Sequence, residues 1–244
     1  MSKSTRTKSN FFSLRYSLLL IGGMYLLTPL LIALVLRIVK ELDRHLAVPD
    51  ILLDWSISRY IVVSQSIALI AGYFIIRREL KKRGLAWSDL GLQSFKKLRA
   101  IKYIIAFPLI LLVILFVIAA ITAAFGYIPP EPAGPPQAKE AYDRIGGLWP
   151  SILLSVVLAP FIEELLFRGI LFKALSARWN LLLAIAVSSF IFAVIHLNPP
   201  QIIGAAIIGP YLCFMYHRLG SIYPGMVLHA LWNSLVIFIA YQAS

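Results

Sequence analysis

Long apolar runs separated by short polar segments constrain this chain more than any other feature. They fall at residues 16–36, 60–76, 103–125, 148–167, 181–196, 201–216 and 222–241. About 20 apolar residues, each rising about 1.5 Å along a helix, cross a hydrocarbon core of roughly 30 Å. Inside lipid the backbone N–H and C=O groups of such a run must pair with one another, which a helix achieves within a single segment. The expectation is an all-α, polytopic integral membrane helix bundle with about seven transmembrane helices. Composition agrees: 60% of the residues are hydrophobic and 14% charged, with a mean hydropathy of +0.83. A soluble domain carries about 45–50% apolar and about 25% charged residues. The single cysteine, Cys213, allows no intrachain disulfide.

The charges read as topology. Lys3, Arg6, Lys8 and Arg15 precede the first run without an acid between them. That run is longer than the apolar core of a signal peptide, about 7–15 residues, so it predicts an uncleaved first helix, kinked at Pro29. The segment 77–102 holds nine Lys and Arg against Glu79 and Asp89. The positive-inside rule makes this loop cytoplasmic, and the N-terminus with it, since two crossings separate them. The net charge of +12 then reflects orientation and contact with anionic lipid, not nucleic-acid binding. The loop 126–147 carries Glu131, Glu140 and Asp143 against Lys139 and Arg144, with five prolines from Pro129 to Pro136. It reads as an extended outer connector. Three parts follow: 1–125, with helices 1–3 and the basic loop; the Pro-rich connector 126–147; and a helical core, 148–244, whose short turns favour antiparallel neighbours.

The acids point to the chemistry. Nine of eleven Asp and Glu lie in the predicted loops; Glu163 and Glu164 sit side by side within an apolar stretch. An acid at a helix centre costs about 2.5–3.5 kcal/mol on insertion scales and faces a cavity or a partner. Adjacent helical residues project about 100° apart, so the two do not share a face. Glu164 precedes Arg168 by four, the favourable order for an ion pair, which leaves Glu163 as the candidate general base. Pro160 just before them predicts a kink or a widened cavity.

Three histidines fall in the same block. His217, beside Arg218, reads as an interface residue. If the helices around Glu163 and His196 form a hairpin turning near Trp179, the two residues lie at nearly equal height. Phe192 precedes His196 by four, so its ring can pack beside the imidazole. His229 and Asn233 are also four apart and share a face. Glu163, His196, His229 and Asn233 would then line one polar cavity around a water. Two arrangements remain open for the helix bearing Glu163: it runs straight to Trp179, or it ends near Arg168 and Gly169–Arg178 lies along the membrane surface.

The same residues form a motif series. Glu163–Arg168 reads EExxxR, Phe192–His196 reads FxxxH and His229–Asn233 reads HxxxN. In this order, on successive apolar segments, they resemble the CPBP family of intramembrane proteases, the CAAX proteases and bacteriocin-processing enzymes also called the Abi family. The resemblance covers about 148–235. It implies peptide-bond hydrolysis in or near the bilayer of a membrane-associated peptide or protein, with Glu163 and His196 activating water and His229 and Asn233 stabilising the oxyanion. Glu164, Arg168 and Phe192 take supporting roles. It also implies an integral, multi-pass protein of a bacterial plasma membrane. No cofactor is expected; the alternative is a zinc enzyme with His196, His229 and Glu163 as ligands. Two other classes compete: a proton-coupled transporter, and a non-catalytic immunity or scaffold protein.

Overall fold

The computed structural model describes residues 11–27, single positions between 30 and 41, and residues 57–126, 152–196 and 199–242. Pro29, the connector beyond Gly126 and the start of the run 148–167 lie outside the described residues. Among the described residues every regular element is helical. Helix α1 covers Leu14–Gly22 and continues as a π turn over Gly23–Leu27; the Ser13 hydroxyl caps it by accepting from the Tyr16 N–H. Helix α2, Ile57–Arg83, ends on Lys81, Lys82 and Arg83, cations that complement the negative end of the helix dipole. A 3-10 turn, Trp87–Leu90, leads to α3, Lys97–Ala124. Helix α4 runs through Leu153–Leu158, Ala159–Glu163, Glu164–Phe172 and Lys173–Ser176 without a break. Then come α5, Leu181–Val194, capped by Asn180, α6, Pro199–Leu219, and α7, Tyr223–Gln242.

Lys97–Ala124 and Gln201–Leu219 are long and apolar enough to cross a membrane. Helix α3 buries Ala100 and Phe107, while Leu112, Val113 and Phe116 are 63–73% exposed. An apolar helix turned outward is at home in lipid and not in water. The chain is a membrane protein. At 14 residues α5 is shorter than a perpendicular crossing needs, so helix length alone does not give seven spans.

Helix α4 is the axis of the fold. Every residue from Ile162 to Phe172 is buried, as are Ala174 and Leu175. The helix passes Arg168 unbroken, and Gly169 onwards is packed inside the bundle. That corrects the reading in which this stretch lies on the membrane surface. The reason is local: a Cβ at Gly169 would stand 2.5 Å from the Leu90 carbonyl oxygen, so glycine lets the 3-10 turn seat directly on the helix.

The basic loop closes one end of the bundle. Arg83 lies over the rings of Phe12 and Tyr16 at 5.0 and 5.3 Å and donates to the Phe11 carbonyl. Burial pushes the Glu79 carboxyl up, but Lys82 and Arg83 more than offset this and hold it below its ordinary value. Lys173 donates to the Asp89 carbonyl and sits over Phe11. The Ile222 N–H donates to Gly91 at 3.0 Å, Gln93 Nε2 to Gly220 at 2.7 Å and Ser221 Oγ to Gln93 at 2.9 Å. Gly91 and Gly220 take φ of 89° and 69°, values that suit glycine.

Candidate active site

Helix α4 supplies both carboxylates from a backbone that is partly π. Its i to i+5 pairing widens the helix, a feature frequent at functional sites. The Ala159 N–H donates back to Leu154. In that register the Ser155 carbonyl would accept from residue 160, and Pro160 has no N–H. Asn233 Nδ2 donates to the orphaned Ser155 oxygen at 2.7 Å. One proline thus frees an acceptor that holds α7 to α4, and the Asn233 amide keeps a second N–H.

Glu164 and Arg168 meet at 2.8 Å, both side chains fully buried, although their alignment falls short of hydrogen-bond geometry. Arg168 Nη2 donates to the Gly209 carbonyl on α6 at 3.2 Å, and the guanidinium lies 4.4 Å from the Phe192 ring centre on α5. The pair therefore ties three helices together. Glu164 is pressed against α7 as well: a Cβ at Gly225 would lie 2.5 Å from its Oε2.

His229 reaches both carboxylates. Its Nε2 is 3.5 Å from Glu163 Oε2 and its Nδ1 is 3.5 Å from Glu164 Oε1. The two glutamates do project differently, yet one imidazole bridges them because its two nitrogens face opposite ways. Glu163 also accepts from the Tyr25 hydroxyl of α1 at 3.3 Å, and the Tyr25 ring meets Phe167 edge-on at 6.3 Å.

His196 lies two residues beyond α5. Its Nδ1 is 2.8 Å from the Phe192 carbonyl oxygen. A carbonyl only accepts, so Nδ1 carries the proton, and in the neutral ring Nε2 is the free base. Phe192 stands edge-on to His196 at 5.1 Å and to His229 at 5.7 Å, a ring wedged between the two imidazoles.

Glu163, His196, His229 and Asn233 line one cavity of about 240 Å³, with Ser155, Gln201, Trp232 and the apolar Ile208 and Ile237 also on its wall. His217 is exposed at the far end of α6. Among the described residues no group of three His, Cys, Asp or Glu is placed to hold a metal ion. Sequence reasoning missed Tyr25, a phenol inside an apolar run, and Ser155, whose role is its carbonyl. A hydroxyl at membrane depth was the available signal for Tyr25. Ser155 offers none, because any residue carries that oxygen.

Fold and site define a class: a helical membrane protein whose central helix presents two buried glutamates to an imidazole beside an internal cavity. Residues 145–235 match the family described as type II CAAX prenyl endopeptidase Rce1-like, a similarity that supports a CPBP, or CAAX protease, relationship over this segment. The chain is also similar to the Bacillus subtilis (strain 168) protein named "Putative membrane peptidase YdiL", 30% identical over 91 residues. That match spans 37% of each chain, so little more than a third of the relative is covered. No solved structure matches the chain.

Proposed function

We propose that the protein is an intramembrane endopeptidase that hydrolyses a peptide bond of a membrane-associated protein or peptide. Its main support is the cavity on which Glu163 and His196 stand together with His229 and Asn233. Glu163 takes a proton from a water while Nε2 of His196 orients it, and the resulting hydroxide attacks the scissile carbonyl carbon. The carbonyl oxygen gains the negative charge, and N–H groups of His229 and Asn233 hold it; such donors act strongly where water is scarce. Glu163 then passes its proton to the departing amine as the C–N bond breaks. Glu164 and Arg168 fix the Glu163 turn of α4, and Tyr25 holds its Oε1.

The substrate class follows the family description: the C-terminal segment of a lipid-modified chain, with its scissile bond near the membrane surface. The orientation follows the charges, with the basic end of the bundle and the N-terminus in the cytoplasm of a bacterial plasma membrane.

The test is cleavage by purified protein in lipid nanodiscs of prenylated and unprenylated membrane peptides, with and without chelator. Glu163→Gln should lower the rate at least about a hundredfold, the scale of general acid–base catalysis, while its detergent melting curve stays close to wild type. Wild-type cleavage should survive chelation. Full activity in Glu163→Gln would dismiss this mechanism, and loss of wild-type activity with chelator would turn it toward a metal enzyme.

A further inference from the structure

A second cleft, of about 350 Å³, opens at the basic end of the bundle, lined by Ser94, Phe95, Lys96, Arg99, Arg218 and Leu219. It joins the entrance of α3 to the exit of α6, so its cations come from two distant parts of the chain. Lys96, Arg99 and Arg218 are exposed. None of the three is in a salt bridge among the described residues, and Glu79 of the same loop is taken by Lys82 and Arg83. The one other acid of this loop, Asp89, accepts from the Ala86 N–H.

The cleft also contains an open helix start. Lys96 occupies the N-cap of α3 without a side-chain cap, and the first turn holds no acid. The first N–H groups of a helix have no partner within it and attract anions. The walls are fixed before any ligand arrives. Gln93 and Ser221 bond across from the loop to the α6–α7 turn, the Ile222 N–H closes on Gly91, and Phe95 packs near Tyr223 at 6.4 Å.

What lies beside the cleft identifies the ligand. Leu98, Ile101 and Ile105, one stripe of α3, are 71%, 50% and 55% exposed. The cations therefore sit where an outward apolar surface begins, the level of lipid headgroups. We propose that the cleft seats the phosphodiester of one anionic phospholipid, with its acyl chains along the Leu98–Ile105 stripe. Arg99, three residues after Lys96 on the same helix face, and Arg218 opposite them grip the phosphate oxygens, and the N–H groups of the α3 entrance complete the cradle. The site is separate from the glutamate cavity and independent of the proposed hydrolysis.

Native mass spectrometry of the full chain in neutral detergent, titrated with phosphatidylglycerol, tests this. Wild type should bind one lipid saturably. The triple variant Lys96→Gln, Arg99→Gln, Arg218→Gln should bind it at least about tenfold more weakly, given roughly a fivefold loss for each cation at a lipid surface. A control triple at the end of α2, Arg77→Gln, Arg78→Gln, Lys81→Gln, removes the same charge and should leave the retained lipid within about twofold. All six side chains are exposed, and matching melting curves verify folding. Equal loss in both triples would reduce the effect to general surface charge and overturn the site. Full displacement of the lipid by millimolar inorganic phosphate, or equal retention of phosphatidylcholine, would overturn its assignment to an anionic lipid.

Discussion

The site turns on how charge is shared among five side chains. Glu164 is neutralised by Arg168 at 2.8 Å, which leaves His229 and Tyr25 as the groups that meet Glu163. Tyr25 comes from α1, outside the family match at 145–235, and its hydroxyl donates to the carboxylate. Tyr25→Phe keeps the ring against Phe167 and deletes the O–H. A hydrogen bond to a charged group is worth about 1.5–3 kcal/mol, so kcat should fall roughly tenfold or more with KM nearly unchanged. A rise in KM at constant kcat would instead make Tyr25 a substrate contact. EExxxR, FxxxH and HxxxN point to the four cavity residues from sequence because their chemistry is in their side chains and their spacing is local. Tyr25 is not legible that way: it arrives from more than a hundred residues away through tertiary packing.

Among the elements, α4 differs most from what its sequence implies. Apolar periodicity marks a helix there, and Pro160 marks a disturbance. Neither reveals that the disturbance is two π stretches, or that the helix continues buried to Ser176. Hydrogen-bond register is a property of the packed helix, set where Asn233 and α7 take up the freed Ser155 carbonyl. Two glycines mark the tightest approaches and should fail differently. Gly169→Ala drives a methyl into the Leu90 backbone, 2.5 Å away, and should destabilise by about 1–3 kcal/mol, read as a lower melting temperature in detergent. The nearest atoms to a methyl in Gly225→Ala are at the end of the Glu164 side chain. It should shift that carboxylate and lower the cleavage rate more than the melting temperature. A larger melting loss in Gly225→Ala than in Gly169→Ala would contradict this ranking.

Across the whole molecule, apolar runs place the helices because the bilayer filters for apolar length, but packing decides which end is closed. The basic loop is predicted from sequence only as an orientation signal. In the fold it also bonds the α6–α7 turn and packs on α4 through Leu90. The proposed cytoplasmic position of that end has a direct check. Cys213 is fully buried, so a single exposed thiol can be introduced without removing it. Ser88→Cys, at an exposed position in the 3-10 turn, should react with a membrane-impermeant maleimide in inside-out vesicles and not in intact cells. Labelling in intact cells would invert the orientation.

The buried Glu164–Arg168 pair also bears on how the chain enters the membrane during synthesis. Helix α4 carries Glu163, Glu164 and Arg168 together, and each costs about 2.5–3.5 kcal/mol near the centre of a lone inserting helix. Arg168 offsets Glu164 within the helix and Tyr25 precedes it, but the other partners arrive later: Phe192 on α5, Gly209 on α6 and His229 on α7. If α4 crosses the bilayer, it is therefore costly to insert alone. The residues of the proposed chemistry are thus also the ones whose packing is completed last, once Phe192, Gly209 and His229 have been made.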